Sequence, residues 1–134
     1  MCPPKKANSV AERYDQALHY ARDQRLPPDT PRPCPTSQWP RENVALLERY
    51  SAWLIEGGAA EYPTNIIYLP AAGHVLGLNP VPHPQINLES DFERVMEYVI
   101  AKGTGVYWQR ACRLGLEKFK RFLRLERGDR KSVV

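Results

Sequence analysis

The sequence predicts an all-α fold: a four-helix bundle preceded by an N-terminal helix on a proline-rich segment. Three observations lead there. Apolar residues recur at three- and four-residue spacings in several stretches. Those stretches are bracketed by helix signals, Ser or Pro before them and Gly after. No convincing strand pattern and no internal repeat interrupts them. The 134 residues suffice for one modest core, and 43% hydrophobic with 25% charged residues is ordinary for a globular protein.

The first predicted helix is "SVAERYDQALHYARDQ", Ser9 to Gln24. Ser9 and Glu12 have capping-box spacing, and Val10, Tyr14, Ala17, Leu18 and Ala21 form a narrow apolar stripe. Six prolines then fall between residues 27 and 40. They remove amide donors and fix backbone angles, which predicts an extended linker. The helix before it is either a free arm or a piece that docks back on the core.

The second helix starts near Pro40 and stops at Gly57-Gly58, with Leu47, Tyr50, Trp53 and Leu54 on its buried face. A third runs from Tyr62-Pro63 to about Leu76, and Pro70 should kink or shorten it. "NPVPHPQIN" reads as a loop. The fourth helix is "ESDFERVMEYVIAK", with Ser90 and Glu93 at capping-box spacing. The fifth and longest spans about residues 105 to 127, with Gly128 placed to cap it. The resulting organisation is an N-terminal arm over 1–25, a linker over 26–40, a bundle over 41–128, and the start of an interdomain linker or tail over 129–134.

Charge is distributed unevenly. Residues 104–134 carry nine Lys or Arg against three acids, a net +6, while residues 1–103 sum to −2. A regional excess of this kind attracts phosphates or other acidic partners. On a wheel of the fifth helix, Trp108, Ala111, Cys112, Gly115, Leu116, Phe119, Phe122 and Leu123 fall within about 140°. Arg110, Arg113, Lys120, Arg121, Arg124 and Arg127 fall within about 120° on the other side. Glu117 is the one acid in that arc. Such a face is either a solvated helix surface or a track for the spaced phosphates of a duplex.

The order of elements from about Pro40 to Arg127 resembles the core-binding domain of tyrosine recombinases, the phage-integrase family. The resemblance rests on "AWLIEGG", a Trp-Leu pair before a glycine turn. It continues in "YPTNIIYL", with Thr64 four residues before Tyr68, and in "EKFKRFLRL", an aromatic pattern beside basic residues. It implies a SAM-like four-helix bundle that closes on double-stranded DNA as one half of a clamp, in company with other recombinase protomers. DNA contact is then expected from Thr64, Asn65, Gln109, Arg110, Arg113, Lys120, Arg121, Arg124 and Arg127. Gln109, Arg110 and Arg113 are the candidates for base edges, and Thr64 and Asn65 for a phosphate at a helix start. One departure is "LPAAGHVLGL", which lacks the basic residues the family carries after the tyrosine. It restricts that helix's contacts to Asn65, Tyr68 and His74. The other is that this stretch contains no catalytic arginine–histidine–tyrosine cluster, so no catalytic residue is assigned and the chain is expected to bind DNA without cutting it.

No cofactor or metal is expected: His19, His74 and His83 lie on different elements without ligand-spaced partners. Cys112 falls on the apolar arc and reads as a buried structural thiol, and Trp108 as a core residue. Tyr107 either stacks on a base or packs between helices, and packing is the expectation. Three scattered cysteines and the lack of a signal peptide or an apolar membrane span point to the cytoplasm. The rival reading is a helical interaction module whose basic stripe grips an acidic protein.

Overall fold

The computed structural model describes residues 9–20, 26 and 29–128. Among them, regular structure is helical throughout, with no strand. Helix α1 spans Val10–Tyr20, α2 Arg41–Glu56, α3 Glu61–Pro63, α4 Leu69–Leu78, α5 Ser90–Ala101 and α6 Val106–Glu126. The third predicted helix is thus longer than expected, because a π turn over Thr64–Tyr68 joins α3 to α4 without a break. Pro70 accounts for that turn. It lacks an N–H and its ring crowds the carbonyl one turn back, so the chain widens, and the Leu69 amide reaches the Thr64 carbonyl instead.

Helix α4 lies at the centre and packs against α1, α2, α5 and α6. Leu69, Ala71, Ala72, Gly73, Val75, Leu76 and Gly77 are all buried. A helix apolar all round is one surrounded by others. That position explains why "LPAAGHVLGL" carries no lysine or arginine. Around it, Leu46, Leu47, Tyr50, Val95, Phe119 and Leu123 complete a core with almost no solvent exposure.

The termini of the longer helices follow local chemistry. The Gly57-Gly58 stop forms as expected: the Ala59 amide reaches back to the Leu54 carbonyl at 2.9 Å and that of Gly58 to Ile55 at 3.0 Å, a Schellman closure. Gly128 ends α6 with φ +74°, as its position predicts. The start of α5 differs from expectation. Asn87, not Ser90, is the cap: its Oδ1 accepts from the amides of Glu89 and Ser90 at 2.9 and 2.8 Å. Asp91 Oδ2 returns the bond by accepting from the Asn87 amide at 2.7 Å.

The larger difference concerns the N-terminal part. The capping box at Ser9 forms, with the Glu12 amide donating to Ser9 Oγ at 3.1 Å. Of the two alternatives left open for this helix, docking is the one realised: Val10 and Tyr14 sit in the main core. The expected exposed tether holds only in part over its described residues: Asp29, Pro31, Arg32, Pro35, Ser37 and Gln38 are exposed, but Leu26, Pro33, Thr36 and Trp39 are buried. Asp15 accepts from both the amide and the hydroxyl of Thr36. The Cys34 amide donates to the Gly77 carbonyl at 3.1 Å, and Trp39 Nε1 to the Cys34 carbonyl at 3.1 Å. Prolines lack donors, but their neighbours have them: Cys34 and Thr36 lock the segment onto α4 and α1, and Trp39 braces it internally while its ring packs on Tyr14. Residues 21–24 of the first predicted helix and the expected linker over 129–134 lie outside the described residues.

Docking of α1 depends on Gly73. A Cβ there would fall inside the Tyr14 ring, 2.6 Å from Cζ. Gly73→Ala should therefore displace Tyr14 and loosen α1, at the roughly 1–3 kcal/mol typical of overpacking. Thermal melts and limited proteolysis check this: melting should fall and the first cuts should move into residues 10–40, with α6 still protected.

Candidate nucleic-acid interface

The rotation of α6 is set by its inner side. Phe119 lies 4.9 Å from the Tyr50 ring and 6.0 Å from Phe92, centroid to centroid. Phe122 lies 5.1 Å from Tyr50 and 5.4 Å from Trp53. With Leu116 and Leu123 also buried, the opposite arc must face outward. Arg110, Arg113, Arg121 and Arg124 are exposed there. Among the described residues, none of the four is paired with an acid. They form two pairs separated by three helical turns, about 16 Å along the axis and within about 80° of arc. The exposed Glu117 lies between the pairs.

The remaining expected contacts are placed elsewhere. Lys120 is only 16% exposed, with Nζ 3.8 Å from Glu89 Oε1 and 5.5 Å above the Phe92 ring. Arg127 donates to the carbonyls of His83 and Ile86 at 2.8 and 2.7 Å, which pins the loop after α4 to the end of α6. Gln109 Nε2 donates to the Thr104 carbonyl at 3.0 Å and closes the corner between α5 and α6. Thr64 is buried, with Oγ1 on the Ala60 carbonyl at 2.7 Å and its amide on the same oxygen at 3.2 Å. It therefore has neither a hydroxyl nor an amide to offer a phosphate. Asn65 lines a cavity, open to solvent, beside Trp108, Ala111 and Cys112, residues on the side of α6 away from the arginines.

Two aromatic expectations change. Trp108 points along the apolar arc but remains 46% exposed, because the first turns of α6 overhang the bundle and only a cavity lies beneath them. Tyr107 is 73% exposed, its ring edge-on to Trp108 at 5.6 Å. Val106 and Leu114 are exposed as well, so the half of the face around Arg110 and Arg113 is both apolar and basic. A helical wheel puts Val106, Tyr107 and Leu114 on the arginine side, and that is the sequence signal for this mixed surface.

His74, a candidate contact on the sequence, is interior. Its Nδ1 lies 2.7 Å from the Tyr14 hydroxyl, and its ring packs edge-on against Tyr98 at 5.3 Å. Burial, and secondly the nearby Lys102 charge, hold it neutral with a pKa lowered to about 3. Burial likewise pushes the Cys112 thiol up to about 11, as suits a structural cysteine. No cluster of metal-ligating residues occurs among the described residues. No described helix is long and apolar enough to cross a membrane.

No family model, curated protein or solved structure matches the chain.

The part-buried imidazole, held between Tyr14 and Tyr98, makes stability depend on pH. His74 is neutral when folded and gains a proton near 6.5 when unfolded, so its contribution is complete above 6.5 and is lost as pH falls toward 3. Over about pH 6 to 4, wild type should lose up to about 1.4 kcal/mol per pH unit more than His74→Gln. Paired denaturant titrations measure the difference. Parallel slopes for the two proteins would show that His74 is not the responsible group.

Proposed function

We propose that this chain is a duplex-DNA-binding domain of the tyrosine-recombinase core-binding type, a SAM-like bundle acting in the cytoplasm. It grips the backbone through α6 and leaves strand cleavage to other residues than its own. The observation that carries this reading is the set of four exposed arginines on one face of one seated helix, none paired with an acid among the described residues. Guanidinium groups left hydrated and unpaired are available to displace counterions from phosphates. The 16 Å or so between the two pairs is comparable with the roughly 12 Å major groove, so each pair can meet one of its walls. Glu117 then faces the groove between them, where no phosphate opposes it. Of the residues expected from the sequence to touch DNA, Arg110, Arg113, Arg121 and Arg124 carry this proposal.

A second reading is favoured by one observation. Val106, Tyr107 and Leu114 are exposed around Arg110 and Arg113, and aromatic residues mixed with arginine are typical of protein interfaces. Other recombinase protomers or an acidic protein suit that half of the face.

The double variant Arg121→Gln/Arg124→Gln separates the readings. Its folding stability should stay within about 0.5 kcal/mol of wild type. Its duplex affinity should fall, and the slope of log K against log salt should flatten by about 0.9 for each phosphate no longer neutralised. Phe119→Ala is the control for loss of seating, expected to cost about 3–5 kcal/mol of stability. Equal affinity and equal salt slope for wild type and the double variant would overturn the DNA reading and favour the protein interface.

A further inference from the structure

The outward face of α6 does not stand alone. Helix α5 runs beside it in the opposite direction, joined to it by the corner over 102–105. Lys120 Nζ lies 3.8 Å from Glu89 Oε1, and the Phe119 and Phe92 rings stack at 6.0 Å, which fixes the two helices side by side. On α5, Phe92, Val95, Met96 and Val99 are buried, so Glu93, Glu97 and Ile100 form one exposed strip. Among the described residues, neither glutamate is paired with a base. Arg94, the other exposed charge of α5, is held by Asp91 at 3.8 Å.

In an antiparallel helix pair, residues equally far in sequence from the corner stand at the same level, because both helices have the same rise. Glu97 is thus level with Arg110, Glu93 with Leu114 next to Arg113, and Ile100 with Tyr107. An acidic strip and a basic strip therefore lie next to each other in register, and among the described residues no ion pair joins them. Glu117 is level with Ser90, which carries no charge. Arg121 and Arg124 lie beyond the start of α5.

We propose that two copies of this chain pair through this surface, about a two-fold axis parallel to α5 and α6. Such an axis lays α5 of each copy over α6 of the other at an unchanged level. Glu93 and Glu97 of one copy then meet Arg113 and Arg110 of the other, and the same contacts recur on the second side of the axis. Ile100, Val106, Tyr107 and Leu114, all exposed, supply the apolar centre that exposed ion pairs lack by themselves. An unrelated acidic protein drawn to Arg110 and Arg113 would meet Glu93 and Glu97 beside them, whereas a second copy matches both strips. The pairing rests on the protein-interface reading of the half-face around Arg110 and leaves Arg121 and Arg124 open. A duplex and the second copy therefore compete for Arg110 and Arg113 alone.

Sedimentation of the full chain without DNA tests this pairing. At submillimolar protein and low salt the mass should be twice 15.4 kDa, and salt of about 1 M should shift it toward the monomer. Two charge-reversed variants make the test specific to these strips. Glu93→Arg/Glu97→Arg carries two basic strips and Arg110→Glu/Arg113→Glu two acidic ones, so each alone should be monomeric. Mixed in equal amounts they should form a species of the wild-type dimer mass, since each offers the complement of the other. All four changes are at exposed positions, and a defined dimer regained on mixing requires both variants to be folded. A monomeric wild type, a dimer in either variant alone, or no dimer on mixing overturns the proposal. Duplex titration keeps the readings apart: duplex binding by a wild type that stays monomeric removes the pairing alone, and a dimer of the predicted specificity without duplex affinity supports the pairing and removes the DNA reading alone.

Discussion

Helix α4 is packed by four other helices at once, and only its small residues make that arrangement achievable. Ala71 and Ala72 together with Gly73 and Gly77 keep the helix thin, so its neighbours approach its backbone. The Gly77 carbonyl is close enough to accept the Cys34 amide, and a Cβ at Gly77 would stand 3.0 Å from the Cys34 carbonyl. Every other seating follows from this centre. α5 and α6 lie against it, α2 closes another side, and α1 with the proline segment covers what is left. With the core fixed in this way, α6 has one permissible rotation, and its arginines point outward for that reason.

The parts of the fold that are legible in the sequence are those governed by local chemistry. Gly57-Gly58 and Gly128 stop their helices where a left-handed residue is needed, and the Ser9 box forms as its spacing dictates. The inner and outer arcs of α6 are also legible, because period and direction are properties of a single helix. Periodicity carries no information about what lies across a gap. It places Trp108 on the apolar arc correctly and cannot reveal that a cavity lies opposite. It groups Lys120 and Arg127 with the other basic residues, although Glu89 and the carbonyls of His83 and Ile86 hold them. The proline segment departs from expectation for a related reason. Proline counts report missing donors, whereas the docking of Cys34, Thr36 and Trp39 depends on long-range partners, the Gly77 carbonyl, the Asp15 carboxylate and the Tyr14 ring. At Thr64 the motif is visible but its environment is not: a hydroxyl one turn into a buried helix bonds its own backbone.

Polar residues inside the bundle organise its loops. Asn43, fully buried, donates to the Val81 carbonyl at 2.7 Å and accepts from the His83 amide at 2.9 Å. Arg127 binds the same loop from the other side. The segment between α4 and α5 therefore has its backbone groups satisfied by α2 and α6 although it contains no long element of its own. Arg49 joins this arrangement with an ion pair to Glu126 at 2.8 Å, exposed enough that it contributes little energy but orients the end of α6.

The meeting of Tyr14 with Gly73 has a consequence for how the sequence can change. The ring occupies the volume that any side chain at position 73 would claim. The two positions sit on different helices, yet they draw on one shared space. A methyl group gained at 73 is tolerable only where position 14 gives up part of its ring, and a smaller residue at 14 leaves His74 without its hydroxyl partner. Substitution history at these sites is thus expected to be paired, with neither position drifting alone.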